Sequence, residues 1–425
     1  PPPLSPSSPM AAARADDLHA QHPSAVSDDR RAALKSKLAL DPWDLDAWAA
    51  LAAHANSLPF ELARPDYDAF LAHFPTAARI WRVYLEKLVA AKRWAAERRR
   101  GDFARGAGEE DVAARREVES VFGRALYFCP QCVELWMGYL EFGLKFKGKM
   151  EMVGMFDAAL EKAGLDINSN ELWSSYVEWV KSWDVHSPVE ENQRRDILRR
   201  VYQKAVRNPM HNLEAFWRAY EAFESTGVNK DLVRGLLAEN QPRYTAALAE
   251  FRARKNRRDG INQNALASPP RGRPKENEQA RLWRRFVGAE RLNPHNVEPE
   301  ELQRRVSYAY QVSMSFLYRY PDAWLDLAYF HLDSGHPGVA RETFRRGWFN
   351  DGLGKHIRIA GTRLNKPVFL LLPLFEKVLK PCQAARCYTL RSRTSRSCRA
   401  IRLMLSGSTR SCWRSRRRRW RIFST

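Results

Sequence analysis

Seven of the chain's 14 tryptophans recur in one setting, an indole followed three residues later by an aromatic or a leucine. The copies are Trp48/Leu51, Trp81/Tyr84, Trp136/Tyr139, Trp173/Tyr176, Trp217/Tyr220, Trp283/Phe286 and Trp324/Leu327. Positions three apart share one stripe of an α-helix, and the seventh position after the first falls back beside it. Glu224 and Glu290 hold that seventh position in two copies. A second helical segment follows each first one, with an arginine three residues before an aromatic: Arg64/Tyr67, Arg199/Tyr202, Arg305/Tyr308 and Arg341/Phe344, with Phe122 and Phe156 in the matching slots elsewhere. Several of these end at proline, namely Pro75, Pro130, Pro209 and Pro321, which cannot continue the helical hydrogen-bond ladder. The unit is therefore helix A, turn, helix B, turn. Tryptophan-to-tryptophan gaps are 33, 55, 37, 44, 66 and 41 residues, and the shortest give the bare unit. A helix pair of that size cannot bury its apolar stripe alone and must stack on neighbours. The expected fold is all-α, an α-solenoid of stacked two-helix repeats.

The longer gaps mark the organisation. A Gly- and charge-rich insertion at 95–117 accounts for the 55-residue gap, and a Pro-, Gly- and Asn-rich stretch without aromatics, Lys255 to Glu278, accounts for the 66-residue one and reads as a linker. The expected layout is a disordered Pro/Ser/Ala-rich segment over 1–30, about five repeats over 31–254, the linker, about two repeats over 279–347, and a divergent tail over 348–425.

Charge has to be located before it is interpreted. Lysine and arginine number 70 against 49 acids, a formal net charge of +21 that suggests nucleic acid or an anionic surface. Yet 15 of the basic residues and no acid fall between Lys377 and Thr425, which leaves the first 376 residues at +6. The loss of every acid where the repeat pattern ends favours a mis-joined or wrong-frame segment over a nucleic-acid-binding arm. The longest apolar run, Val368 to Phe375, contains Pro373 and is too short for a membrane span, so no membrane partner is expected.

Tryptophan, aromatic and glutamate on helix A, with arginine and aromatic on helix B, resembles the half-a-TPR (HAT) repeat of RNA-processing scaffolds. The stretch from Glu191 to Glu224, ENQRRDILRRVYQKAVRNPMHNLEAFWRAYEAFE, and the segment DPWDLDAW from Asp41 to Trp48 are similar to repeats of the suppressor-of-forked family, the HAT subunit of cleavage stimulation factor. The resemblance implies a nuclear, non-catalytic scaffold of pre-mRNA 3'-end cleavage and polyadenylation. Its implied partners are an RNA-recognition subunit, a WD-repeat subunit and the cleavage and polyadenylation specificity factor, with RNA met mainly indirectly. The family homodimerises through its C-terminal block, of which this chain carries only the opening two repeats, so homodimerisation is not carried over. A crooked-neck-like splicing scaffold and a direct RNA-binding protein are the competing readings.

On this reading Trp48, Trp81, Tyr84, Trp136, Tyr139, Trp173, Tyr176, Tyr202, Trp217, Tyr220, Glu224, Trp283, Phe286, Glu290 and Trp324 are structural repeat positions rather than a base-stacking platform. Arg98, Arg99 and Arg100 in the insertion, and Arg257, Arg258, Arg271 and Arg273 in the linker, are candidate RNA contacts, because they are basic clusters off the repeat faces. Solvated loops are the plainer account of both. Cys129-Pro130-Gln131-Cys132 has redox or zinc spacing, but no second pair stands at metal spacing, so two turn residues are expected there. Gly352-Leu353-Gly354-Lys355 lacks the earlier glycine and the hydroxyl residue of a phosphate loop. No catalytic residue, cofactor or metal is expected.

Overall fold

The computed structural model describes residues 23–100, 109–226, 230–293 and 297–349. These form helices only, in the order α1 (Pro23–Leu40), α2 (Leu45–Ser57), α3 (Phe60–His73), α4 (Ala78–Arg100), α5 (Glu109–Phe128), α6 (Val133–Gly143), α7 (Lys149–Ala163), α8 (Asn170–Lys181), α9 (Pro188–Ala205), α10 (Leu213–Ser225), α11 (Lys230–Arg257), α12 (Pro274–Arg291), α13 (Pro299–Leu317), α14 (Pro321–Asp333) and α15 (Pro337–Phe349). Each repeat tryptophan falls on an even-numbered helix from α2 to α14, and each second-helix aromatic on the odd-numbered helix that follows. The chain divides into two compact units, one through Ala323 and one from Trp324 onward.

Local chemistry starts and stops the helices. Asp44 caps α2 by accepting from the backbone N–H groups of Asp46 and Ala47, both at 3.1 Å. Ser187 caps α9, accepting from Glu190 N–H at 3.2 Å, with Pro188 in the first helical position where its missing donor costs nothing. Pro75, Pro130 and Pro209 fall in the turns after α3, α5 and α9. In the second unit Gly347 is required by close packing, since a Cβ there would stand 2.7 Å from Cγ of Trp324.

Among the described residues of the first unit, three apolar clusters fill seams between successive helices from α1 to α11. Trp48, Leu51, Phe70 and Phe74 form the first, Tyr67, Trp81, Tyr84 and Phe122 the second, and Phe156, Trp173, Tyr176, Tyr202, Trp217 and Tyr220 the third and largest. Such rings carry much of the inter-helix packing, as at Phe156 and Tyr176, which stack with centroids 4.5 Å apart.

Two elements differ from the sequence reading. The segment over 1–30 was expected to be disordered throughout, but α1 begins at Pro23 and its Leu34 and Leu38 pack on the first cluster. Arg31 and Lys35 reach the buried carboxylate of Asp66 at 2.6 and 2.8 Å, while much of the outer side of α1 is exposed, as suits the first layer of a stack.

The stretch over 255–278 is the second. Its first residues complete α11, and the following strap is packed rather than free. Gly260 and Gly272, both with φ 76°, supply the left-handed turns that bend it. Between them Leu266 packs on the first apolar cluster and Ala267 and Ser268 are buried. Arg271 then pairs with Asp41 at 2.7 Å. Helix α13 and the residues just after it reach the turns that follow α3, α5 and α7. Thr76 donates to Ser315 O at 3.1 Å, Arg319 donates to His73 O at 2.7 Å, and Tyr318 meets Phe128 edge-on. Composition pointed to a spacer because it records a shortage of aromatics, whereas this strap is held by ion pairs and backbone carbonyls. Residues 350–425, including the phosphate-loop-like GLGK and the basic tail, lie outside the described residues.

Candidate functional site

The repeat tryptophans are interior. Trp48, Trp81, Trp136, Trp173, Trp217 and Trp283 are buried, as are Tyr84, Tyr176, Tyr202, Tyr220 and Phe286, and Tyr139 is half-buried; Trp324 is buried within the second unit. In three of the seven repeats the indole N–H follows a rule that the sequence displays but that helical phase alone does not suggest. Trp48 donates to Pro42 O at 2.9 Å, Trp81 to Pro75 O at 2.8 Å and Trp136 to Pro130 O at 2.7 Å, each six residues back. A proline carbonyl in the preceding turn lies outside the helical ladder and is a free acceptor, so the spacing Pro-x5-Trp both ends one helix and satisfies the indole of the next. Trp173 has no such proline and uses Gly164 O at 3.4 Å instead.

The glutamates at the seventh position find partners on the preceding helix B. Glu224 on α10 takes a two-pronged contact from Arg199 on α9, Nε to Oε1 at 2.8 Å and Nη2 to Oε2 at 3.1 Å. Glu290 on α12 takes the same contact from Arg254 on α11 at 3.2 and 3.4 Å. Bidentate pairing fixes both planes and thereby the register between neighbouring repeats. Glu250 joins the second pair, accepting from Arg254 at 3.1 Å and Arg257 at 3.2 Å.

Among the described residues, the linker arginines proposed as RNA contacts have hydrogen-bonded intramolecular partners, with one exception. Arg257 donates to Glu290 at 3.0 Å as well as to Glu250, and Arg271 is held by Asp41. Arg258 is buried, with Nη2 3.2 Å from the Asp166 carboxylate and 3.4 Å from the Tyr308 hydroxyl, which itself donates to Asp166. Burial pushes the Asp166 carboxyl up, but the Arg258 charge and the hydrogen bonds from Tyr308, Asn168 N–H and Arg258 outweigh it and hold it below the usual carboxylate range. Guanidinium groups so engaged would have to exchange these partners for phosphate, a cost that sequence could not reveal. The exception is Arg273, which stands exposed at the N-terminal boundary of α12. Arg98, Arg99 and Arg100 occupy the last turn of α4, and their side chains lie outside the described residues.

Cys129 and Cys132 are free thiols in the turn between α5 and α6. Burial raises both, Cys129 well above its ordinary range and Cys132 to about 11. Both are therefore thiols, not thiolates, near neutrality. Alkylation by iodoacetamide at pH 8, followed peptide by peptide, is expected to be slower at Cys132 than at an exposed thiol by roughly two orders of magnitude, and ordinary reactivity there would contradict this burial. Among the described residues no group of three or more His, Cys, Asp or Glu is placed to hold a metal ion, and no helix is long and apolar enough to cross a membrane.

Stacked antiparallel helix pairs, with aromatics spent on the seams and arginine–glutamate pairs setting the register, define a HAT-repeat helical protein whose exposed faces are what it offers to other molecules. The family model described as Suppressor of forked protein (Suf) matches residues 29–98 and 107–356, and the chain belongs to that family. Cleavage stimulation factor subunit 77 of Arabidopsis thaliana is 34% identical over 312 residues, covering 72% of this chain and 39% of that protein. Protein suppressor of forked of Drosophila melanogaster is 29% identical, covering 67% and 35%, and the mRNA 3'-end-processing protein rna14 of Schizosaccharomyces pombe is 28% identical, covering 74% and 41%. This chain thus spans about two fifths of the length of these relatives. The crystal structure of CstF-77 aligns with a TM-score of 0.44 at 18% identity, over 72% of this chain and 70% of that one.

Proposed function

We propose that this chain is a non-catalytic scaffold subunit of the nuclear machinery that cleaves and polyadenylates pre-mRNA. The observation that carries the reading is the family match, which runs through the helix pairs with a break only at 99–106. The physical work of such a scaffold is to raise effective concentration. Two partners seated on one semi-rigid array meet intramolecularly, which strengthens their joint binding by roughly 10²–10⁴ when the geometry fits. The partners of this reading are the RNA-recognition subunit, the WD-repeat subunit and the cleavage and polyadenylation specificity factor, through which RNA is reached.

Affinity purification of the tagged chain from nuclear extract tests it. Recovery of these three partners is the expected outcome. Recovery of spliceosomal proteins without them would instead place the chain with the crooked-neck-like scaffolds.

A further inference from the structure

One edge of the array, where a helix A turns into its own helix B, carries a feature that recurs in three successive helix pairs. A cation in the first half of a helix B sits over a ring at the end of the next helix A. Arg115 on α5 stands 4.0 Å from the ring centre of Phe146, just past α6; Lys149, the first residue of α7, stands 5.6 Å from that of Trp183, just past α8; Arg195 on α9 stands 5.5 Å from that of Phe223, in the last turn of α10. The rungs are continuous. Lys147 beside Phe146 pairs with Glu119 of α5 at 3.3 Å, and Lys149 donates to Asp184 O at 3.2 Å in the turn that holds Trp183.

The second and third rungs are half-closed: Trp183 packs on the third apolar cluster and meets Trp179 edge-on, and Phe223 is half-buried with Arg195 also donating to Thr226. The first is open. Phe146 is 45% exposed, an uncommon state for a large ring, and Lys145 and Lys149 flank it in solvent. Lys145 and Lys147 have carboxylate neighbours, Glu141 and Glu119, whereas Arg115 and Lys149 have none among the described residues.

We propose that this edge of the third and fourth helix pairs binds single-stranded RNA, with a base stacking on Phe146 and phosphates meeting Lys145, Lys147 and Lys149. An exposed ring set among cations offers a stacking surface and phosphate contacts side by side, as a single strand requires. Arg115 covers one face of Phe146 and Phe142 packs on it at a tilt, 5.2 Å between centroids, so the base would meet the part of the ring that is exposed, with the guanidinium adding its charge to the site. Leu144 and Met150 are exposed beside Phe146, at 45% and 72%, so co-purification of processing subunits separates a protein seated on them from RNA. The proposal concerns the isolated chain and does not depend on its incorporation into a processing assembly.

The test is fluorescence anisotropy of the full chain with an oligouridylate of about twelve nucleotides, titrated at several salt concentrations. The basic residues from Lys377 onward add the same background to every variant, so differences between variants report on the edge. Replacing Lys145, Lys147 and Lys149 together by glutamine is expected to weaken binding at least tenfold at low salt and to make the salt dependence shallower by about 2 in the log–log slope. Phe146→Ala is expected to weaken it roughly tenfold with the slope unchanged, and Phe146→Trp to restore it. Affinity and slope within twofold of the parent in both the triple variant and Phe146→Ala, with thermal unfolding unaltered, would overturn the proposal. So would variants that bind RNA normally but no longer co-purify processing subunits, since the edge would then serve a protein.

Discussion

Asp166→Ala is expected to destabilise the first unit by about 3–5 kcal/mol, the usual cost of leaving one member of a buried ion pair behind. Asp166 lies in the turn between α7 and α8 and gathers two groups from distant parts of the chain, Arg258 at the end of α11 and Tyr308 on α13. Without the carboxylate the Arg258 guanidinium stays buried beside the Tyr308 hydroxyl and the Phe286 ring, with no counter-charge among the described residues. Asp166→Leu combined with Arg258→Met should recover much of the loss, because an apolar pair of similar volume avoids the desolvation that the ions must repay. Urea unfolding of the parent, the single and the double variants checks this. A single variant within about 1 kcal/mol of the parent would mean that the contact is not formed in solution.

The same carboxyl gives the pH dependence a sign. Its folded value is depressed, so its contribution is fully present above the ordinary carboxylate range of about 4 and is lost as pH falls through the lower folded value. Part of the acid destabilisation should therefore vanish in the Leu/Met double variant. Unfolding midpoints measured between pH 7 and about pH 3 would show the two curves converging toward the acid end.

Trp81→Ala should cost about 3–5 kcal/mol, because a fully buried ring is removed from the seam that holds Tyr67, Tyr84 and Phe122. Trp81→Phe separates two causes. It retains most of the packing but deletes the donor to Pro75 O at 2.8 Å, leaving that carbonyl with only the long contact from the Cys129 thiol at 3.8 Å. A buried acceptor so weakly satisfied costs about 1–3 kcal/mol, and this part of the loss should be smaller at Trp173, whose indole contact is longer. Equal losses for Trp→Phe at the two sites would show that the proline carbonyl has no special part in fixing the repeat.

These effects divide along the line between local and distant information. Trp81 and Pro75 are six residues apart, and their relation is printed in the chain as Pro-x5-Trp. The partner of Glu224 is 25 residues away on the preceding helix B, near enough that the repeat pattern names both residues without joining them. Asp166 and Arg258 are 92 residues apart, and nothing in either neighbourhood connects them. Arg258 accordingly looked like a free basic residue in a linker, whereas the fold turns it inward. The cation–ring edge was hidden for the same reason: Arg115 and Phe146 belong to different repeats, and only stacking brings one over the other.

The sequence by itself determined the phase of the buried stripes and membership of a HAT-repeat family, because a helical period is a local property that each segment carries in full. Only the tertiary structure decided what happens to charges and to apparently featureless connections. Whether an arginine faces phosphate or a buried carboxylate depends on which distant residue the stack places opposite it, and that choice is made by packing, not by the period.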